Sequence, residues 1–136
     1  MGQQQLLLII LGVIIVGIAI AVGLSMFTAQ SVGAQRDAII SDITNLAATA
    51  YQHRIRPASM GGGGGAYDIT NGGAVFVIPT RLITNENGIY SLPVAVSENL
   101  VTFRGTSRDN VADYVEGAYD ENGRLVGGFT LAGKFQ

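Results

Sequence analysis

The sequence predicts an α+β protein: one long N-terminal α-helix over about residues 2–56, apolar in its first half, packed by its second half on a small antiparallel β-sheet of four to five strands. Three observations predict it. All of the charged residues, 8 Lys and Arg with 10 Asp and Glu, lie at or beyond Arg36, while Leu6 to Phe27 is almost unbroken apolar sequence. Between Asp37 and Ile55 the apolar residues return at three- and four-residue spacing. Past Pro57 the chain turns into short β-branched and aromatic runs separated by turn residues.

Taken in order, the apolar run comes first. At about 1.5 Å per residue, LLLIILGVIIVGIAIAVGLSMF makes a helix about 33 Å long, enough to cross the hydrocarbon core of a bilayer. A domain of this size cannot enclose it, so lipid or a core built by several subunits must. A cleaved secretory signal is a second reading, with Val32-Gly33-Ala34 as its cleavage site, but Met1-Gly2-Gln3-Gln4-Gln5 carries no positive charge and the apolar core is too long. A plain transmembrane anchor is a third.

The helix is expected to continue. Apolar residues fall at Ile39, Ile40, Ile43, Leu46, Ala47, Ala50, Tyr51 and Ile55, the stripe of an amphipathic helix, and Pro57 ends it. Residues 1–35 therefore form the apolar helix half, and 36–136 a globular domain: amphipathic helix 36–56, glycine-rich loop 57–73 and sheet 74–136. Strands are predicted at Ala74–Ile78, Ile89–Val96, Leu100–Gly105, Val111–Tyr119 and Arg124–Ala132. Asn122-Gly123 and Asn87-Gly88 are read as hairpin turns, because such dipeptides accept positive φ. Strands this closely spaced form a meander.

The composition narrows the chemistry. A net charge of −2 gives no basic surplus, so no specific nucleic-acid partner is expected. The absence of cysteine excludes disulfides, thiolate zinc sites and cysteine nucleophiles. A single His53 makes no histidine cluster. No catalytic, cofactor-binding or metal-ligating residue is nominated, no cofactor is expected, and the chain does not read as an enzyme. Gly61 to Gly65 lacks the Gly-Lys-Ser/Thr of a phosphate loop and reads as a flexible or closely packed surface loop. Asp120 and Glu121 form a motif too short for a calcium site and read as a solvated turn. His53, Arg54 and Arg56 suit the negative end of the helix dipole. The aromatics Phe27, Tyr51, Tyr67, Tyr90, Tyr114 and Tyr119 read as core packing and surface tyrosines.

The polar start Gln3-Gln4-Gln5, the apolar run from Leu6, the first charge beyond thirty residues and the amphipathic continuation resemble the type IV pilin family and its secretion pseudopilins. The resemblance covers roughly the first 55 residues; the rest matches in layout alone. It implies a major pilin: a structural subunit that waits in the inner membrane, is stacked by the pilus assembly machinery, and polymerises non-covalently with copies of itself into an extracellular cell-surface filament. Filaments of this family serve adhesion, twitching motility, DNA uptake or phage reception. The alternatives are a type II secretion pseudopilin and a single-pass membrane-anchored extracellular binding module. The residues expected in filament assembly are Met1, Gln3, Gln4, Gln5, Leu8, Leu11, Gly12, Ile15, Gly17, Ile18 and Val22, with Gly2 as a leader-peptidase processing position. The glycines at 12, 17 and 23 permit close helix packing.

The chain departs from the family pattern. The usual glutamate at the fifth mature position is missing, and no acidic residue precedes Asp37. If Met1 is the mature start, Gln5 occupies that position; if cleavage follows Gly2, Leu7 does. The amides of Gln3 to Gln5 are expected to hydrogen-bond neighbouring N-termini instead, or else to mark the membrane–water boundary. The helix-kinking proline of many pilins and their C-terminal disulfide are absent as well.

Overall fold

The computed structural model describes residues Gly2–Gln136, and these divide into two compact units, the first ending at Ala34 and the second covering Gln35–Gln136. One helix, α1 (Gly2–Ile55), supplies the whole of the first unit and the spine of the second. It ends one residue short of the expected boundary, at the last position that Pro57 allows.

In the second unit, α1 is followed by a single 3₁₀ turn at Ala58–Met60, a short helix α2 (Thr80–Ile83) and four strands: β1 (Ile89–Ser91), β2 (Val101–Thr106), β3 (Tyr114–Tyr119) and β4 (Leu125–Leu131). The sheet order is β1-β2-β3-β4, antiparallel throughout, which is the expected meander. A second 3₁₀ turn, Gly133–Phe135, buries Phe135 at the end of the chain.

The predicted stripe divides. Ile39, Ile43, Leu46, Ala47 and Ala50 are buried, Ile40 and Tyr51 are half-buried, and Ile55 is exposed. The first five face the inner side of the sheet, where burial alternates as a pleated surface requires: Val101, Phe103 and Gly105 on β2, and Val115, Gly117 and Tyr119 on β3. Aromatic rings fill the core edge to face, Phe76 on Phe103 at 5.9 Å and Phe103 on Tyr119 at 6.1 Å. Of the other aromatics, Tyr67 and Tyr90 are core residues, Tyr51 and Tyr114 half-buried, and Phe27 exposed. Glycine opposite a large residue recurs, with Tyr90 pairing Gly105 and Phe103 pairing Gly117. At Gly105 a Cβ would run into Ile39 Cγ2 and come within 2.9 Å of the Tyr90 ring, so the missing side chain is what lets α1 press on the sheet.

Several predicted strands are shorter or absent. Ala74–Ile78 is not a strand: Ala74 donates to Gly62 and Phe76 to Tyr67, both in the loop, so no ladder forms although Phe76 and Ile78 are buried. β1 stops at Ser91 because Pro93 follows and has no amide to pair. β3 begins at Tyr114, since residues 110–113 turn instead, with Asp113 donating to Asn110 and Ser107 to Asp113. β4 spans most of the expected run but slips between Glu116 and Ala118, where Gly127 and Gly128 are extra residues on an outer strand. In the β3–β4 turn only Gly123 takes positive φ, at 72°, while Asn122 does not; Asp120 Oδ1 accepts from the amides of Asn122 and Arg124. α2 was not anticipated, although Pro79 immediately before Thr80 is a helix-start signal.

The glycine run closes the end of α1. The carbonyl of His53 accepts from Gly63, that of Arg54 from Gly65 and that of Arg56 from Gly64, while Gly61 and Gly62 donate to Ala58 and Pro57. Two of the helix's orphan carbonyls, and that of Arg56 just beyond it, are thus met by backbone amides, Gly64 and Gly65 both at positive φ. The basic side chains do not cap the helix as expected. His53 Nε2–H donates to the Ala74 carbonyl at 2.6 Å, and Arg54 bonds Asn99 Oδ1 at 3.2 Å.

Gly105→Ala should lower the stability of the second unit by about 1–3 kcal/mol through overpacking against Ile39. Urea unfolding followed by tyrosine fluorescence checks it; an unchanged midpoint would mean that α1 does not press on β2.

Candidate functional site

The largest unsatisfied surface of the chain is the first unit itself. Along α1 from Gly2 to Ser31 every residue is exposed, and the most apolar part of the helix has no residue buried within the chain. By length and composition this is a helix able to cross a membrane. Beyond the first turn its backbone groups are paired within the helix, and Thr28 turns its hydroxyl back to the Leu24 carbonyl at 3.0 Å, so little polar surface remains along the run.

All the nominated assembly residues except Met1, which lies outside the described residues, sit exposed on this helix, as does Gly2. With about 100° per residue, Leu8, Leu11, Gly12, Ile15, Ile18 and Val22 fall within an arc of about 120°. Gly17 falls outside that arc. It opens instead a row that the sequence reading missed: Gly17, Ala21, Ser25, Ala29 and Gly33, small residues at every fourth position. Four-residue spacing follows one ridge of a helix, and a ridge of small residues lets a second backbone approach closely. The signal was present in the sequence, but attention to glycine alone hides it.

In the second unit the most concentrated polar cluster is built on Asp42. Its Oδ2 accepts from Asn85 Nδ2 and Asn87 Nδ2, each at 2.8 Å, and from the Tyr90 hydroxyl at 2.5 Å. The turn before β1 is folded to present them: Asn85 Oδ1 accepts from the amides of Asn87 and Gly88, and Thr84 bridges Ile89. The cluster borders a cavity of about 120 Å³ that Asn45, Leu46, Thr49 and Leu82 complete. Burial pushes the Asp42 carboxyl up, but the hydrogen bonds from Asn87, Tyr90 and Asn85 outweigh it and hold it below the ordinary carboxylate value. The Tyr90 hydroxyl is pushed well above its usual value by burial, then by its bond to Asp42 and that residue's charge. This arrangement ties α1 to the β1 turn; it holds neither a nucleophile nor a base facing one.

Among the described residues no three His, Cys, Asp or Glu side chains come together as a metal centre would require. All five amides from Gly61 to Gly65 are used inside the fold, so none is free to cradle a phosphate. Asp120 spends its Oδ1 on the turn, and the amide of Arg124 does most to keep its carboxyl below the ordinary value. Comparison with known proteins returns no matching family model, no matching curated protein and no matching solved structure.

Asp42→Asn should cost about 1–3 kcal/mol, because three donors lose a charged acceptor. The lowered Asp42 pKa stabilises the fold above about pH 4 and loses that effect as pH falls through the folded value; the raised Tyr90 pKa stabilises it below about pH 10 and fades as pH climbs further. Urea midpoints measured across pH should therefore fall at both extremes, with a shallower acid fall in Asp42→Asn and a shallower alkaline fall in Tyr90→Phe.

Proposed function

We propose that this chain is a non-catalytic structural subunit, similar to a type IV pilin, that polymerises with copies of itself through α1 into an extracellular filament. Before assembly the same helix would sit in the inner membrane and be passed to an assembly machine. The observation that carries the reading is the length of uncharged helix. From Gly2 to Gln35, 34 residues of α1 carry no charged side chain. At about 1.5 Å each they span about 51 Å, against a hydrocarbon core of about 30 Å that about 20 residues would cross. An anchor needs less. Helices packed side by side in a filament core use the whole stretch, and the small-residue row from Gly17 to Gly33 runs on past Phe27, where the apolar run ends.

Transfer from lipid to such a core exchanges one apolar surrounding for another, so little hydrophobic penalty opposes it. Gln3, Gln4 and Gln5 supply neutral amides at the start of the helix, which are cheaper to bury beside a neighbouring N-terminus than an unpaired carboxylate.

Electron microscopy of material sheared from producing cells, with N-terminal mass spectrometry of the same fraction, tests the proposal. Long filaments containing this chain are the expected outcome. Short periplasmic assemblies would point to a pseudopilin, and a monomer retained in the membrane to an anchored binding module. A soluble chain starting near Gln35 would mean that the apolar run is a signal peptide. Ala21→Leu, which fills the small-residue row at an exposed position, should abolish or shorten the filaments while leaving the urea midpoint of the second unit unchanged. Gln5→Ala should reduce filament yield; normal yield would remove the glutamines from the assembly contact.

A further inference from the structure

Beyond the assembly helix, the second unit carries a basic cleft that nothing above uses. The last two turns of α1 line one side with Thr49, Gln52 and His53, whose three- and four-residue spacing places them on one helix face, and Arg56 follows just past the helix end. Arg81 of α2 lines the other side, and Phe76 and Pro79 form an apolar wall. The cleft encloses about 350 Å³, and neither Asp nor Glu lines it. Among the described residues, the ion pairs are made by Arg36, Arg104 and Lys134; the guanidinium groups of Arg56 and Arg81 have no carboxylate within 4.0 Å and both side chains are exposed. A chain of net charge −2 thus keeps two unpaired guanidinium groups in one cavity.

The C-terminal end of a helix ordinarily repels anions. Here the carbonyls of His53 and Arg54 in the last turn of α1, and that of Arg56 just past it, are already occupied by the amides of Gly63, Gly65 and Gly64, so that repulsion is muted beside Arg56. His53 faces the cleft with its ring fixed, because Nε2–H is committed to the Ala74 carbonyl and its edge packs on Phe76 at 5.6 Å. Thr49 and Gln52 add a hydroxyl and an amide as neutral donors.

We propose that this cleft binds a small organic anion bearing a carboxylate or phosphate group, held by the forked donors of Arg56 and Arg81, with its carbon body against Phe76 and Pro79. Two guanidinium groups and two neutral donors match the several oxygens of such a group. The volume admits a body of a few carbon atoms beyond it.

The test uses the full chain in non-ionic detergent, titrated separately with inorganic phosphate and with succinate at constant ionic strength, so that general screening does not mimic binding. Saturable NMR shifts at Thr49, Gln52, Arg56 and Arg81 are expected with at least one probe, and the better probe distinguishes a phosphate from a carboxylate ligand. Arg56→Gln and Arg81→Gln should each weaken binding about tenfold. Arg108→Gln, an exposed arginine outside the cleft, should leave it unchanged and controls for net charge. Absence of saturation with both probes up to tens of millimolar would overturn the proposal. So would equal binding by the Arg56→Gln/Arg81→Gln double variant, provided its remaining amide spectrum shows the second unit folded.

Discussion

The structure depends on one uninterrupted ladder of helical hydrogen bonds. No proline occurs before Pro57, so the helical ladder of α1 runs without a break between its first and last turns. In the first unit this pairing is what permits an apolar surrounding, since backbone left open there would cost several kcal/mol per group, by about the estimate for an unpaired amide in hydrocarbon. In the second unit the same ladder holds Ile39, Ile43, Leu46, Ala47 and Ala50 in one line for the sheet to cover. Side-chain chemistry changes near residue 35 while the helical backbone continues unchanged.

What fixes the second unit is close approach. Gly105 leaves space for Ile39, and Gly117 for Phe129 and Leu125, while Asp42 gathers Asn85, Asn87 and Tyr90 and so joins the helix to the turn before β1. With no cysteine available, hydrogen bonds and packing alone hold the second unit together. The glycine loop belongs to the same scheme: it ends the helix through main-chain amides, which leaves Arg54 free to lie over the Tyr67 ring at 5.6 Å and to bond Asn99.

The long helix, the meander and the β3–β4 turn were legible in the sequence, because each rests on local periodicity or on a residue with a strong backbone preference. Element ends were less so. Ala74–Ile78 has the alternation of a strand, and two of its residues are buried, but its neighbours are loop, and no local pattern reveals what a segment will pair with. The Asp42 cluster was invisible for the same reason: Asp42 lies more than forty residues along the chain from Asn85, Asn87 and Tyr90. The glycine run was ambiguous between slack and close packing, and its amides resolved it only once the partner carbonyls of α1 were placed beside it. The row Gly17, Ala21, Ser25, Ala29, Gly33 is the opposite case, local and periodic yet overlooked, since alanine and serine draw no attention in an apolar run.

The uncharged stretch of α1 also has an electrical meaning. A bilayer that carries an electrical potential does work on any charge that moves through it, about 2.3 kcal/mol per elementary charge for each 100 mV. From Gly2 to Gln35 the side chains offer that field nothing to act on. Sliding such a helix into or out of an energised membrane is neither driven nor resisted by the voltage through its side chains, in either direction and at any polarity.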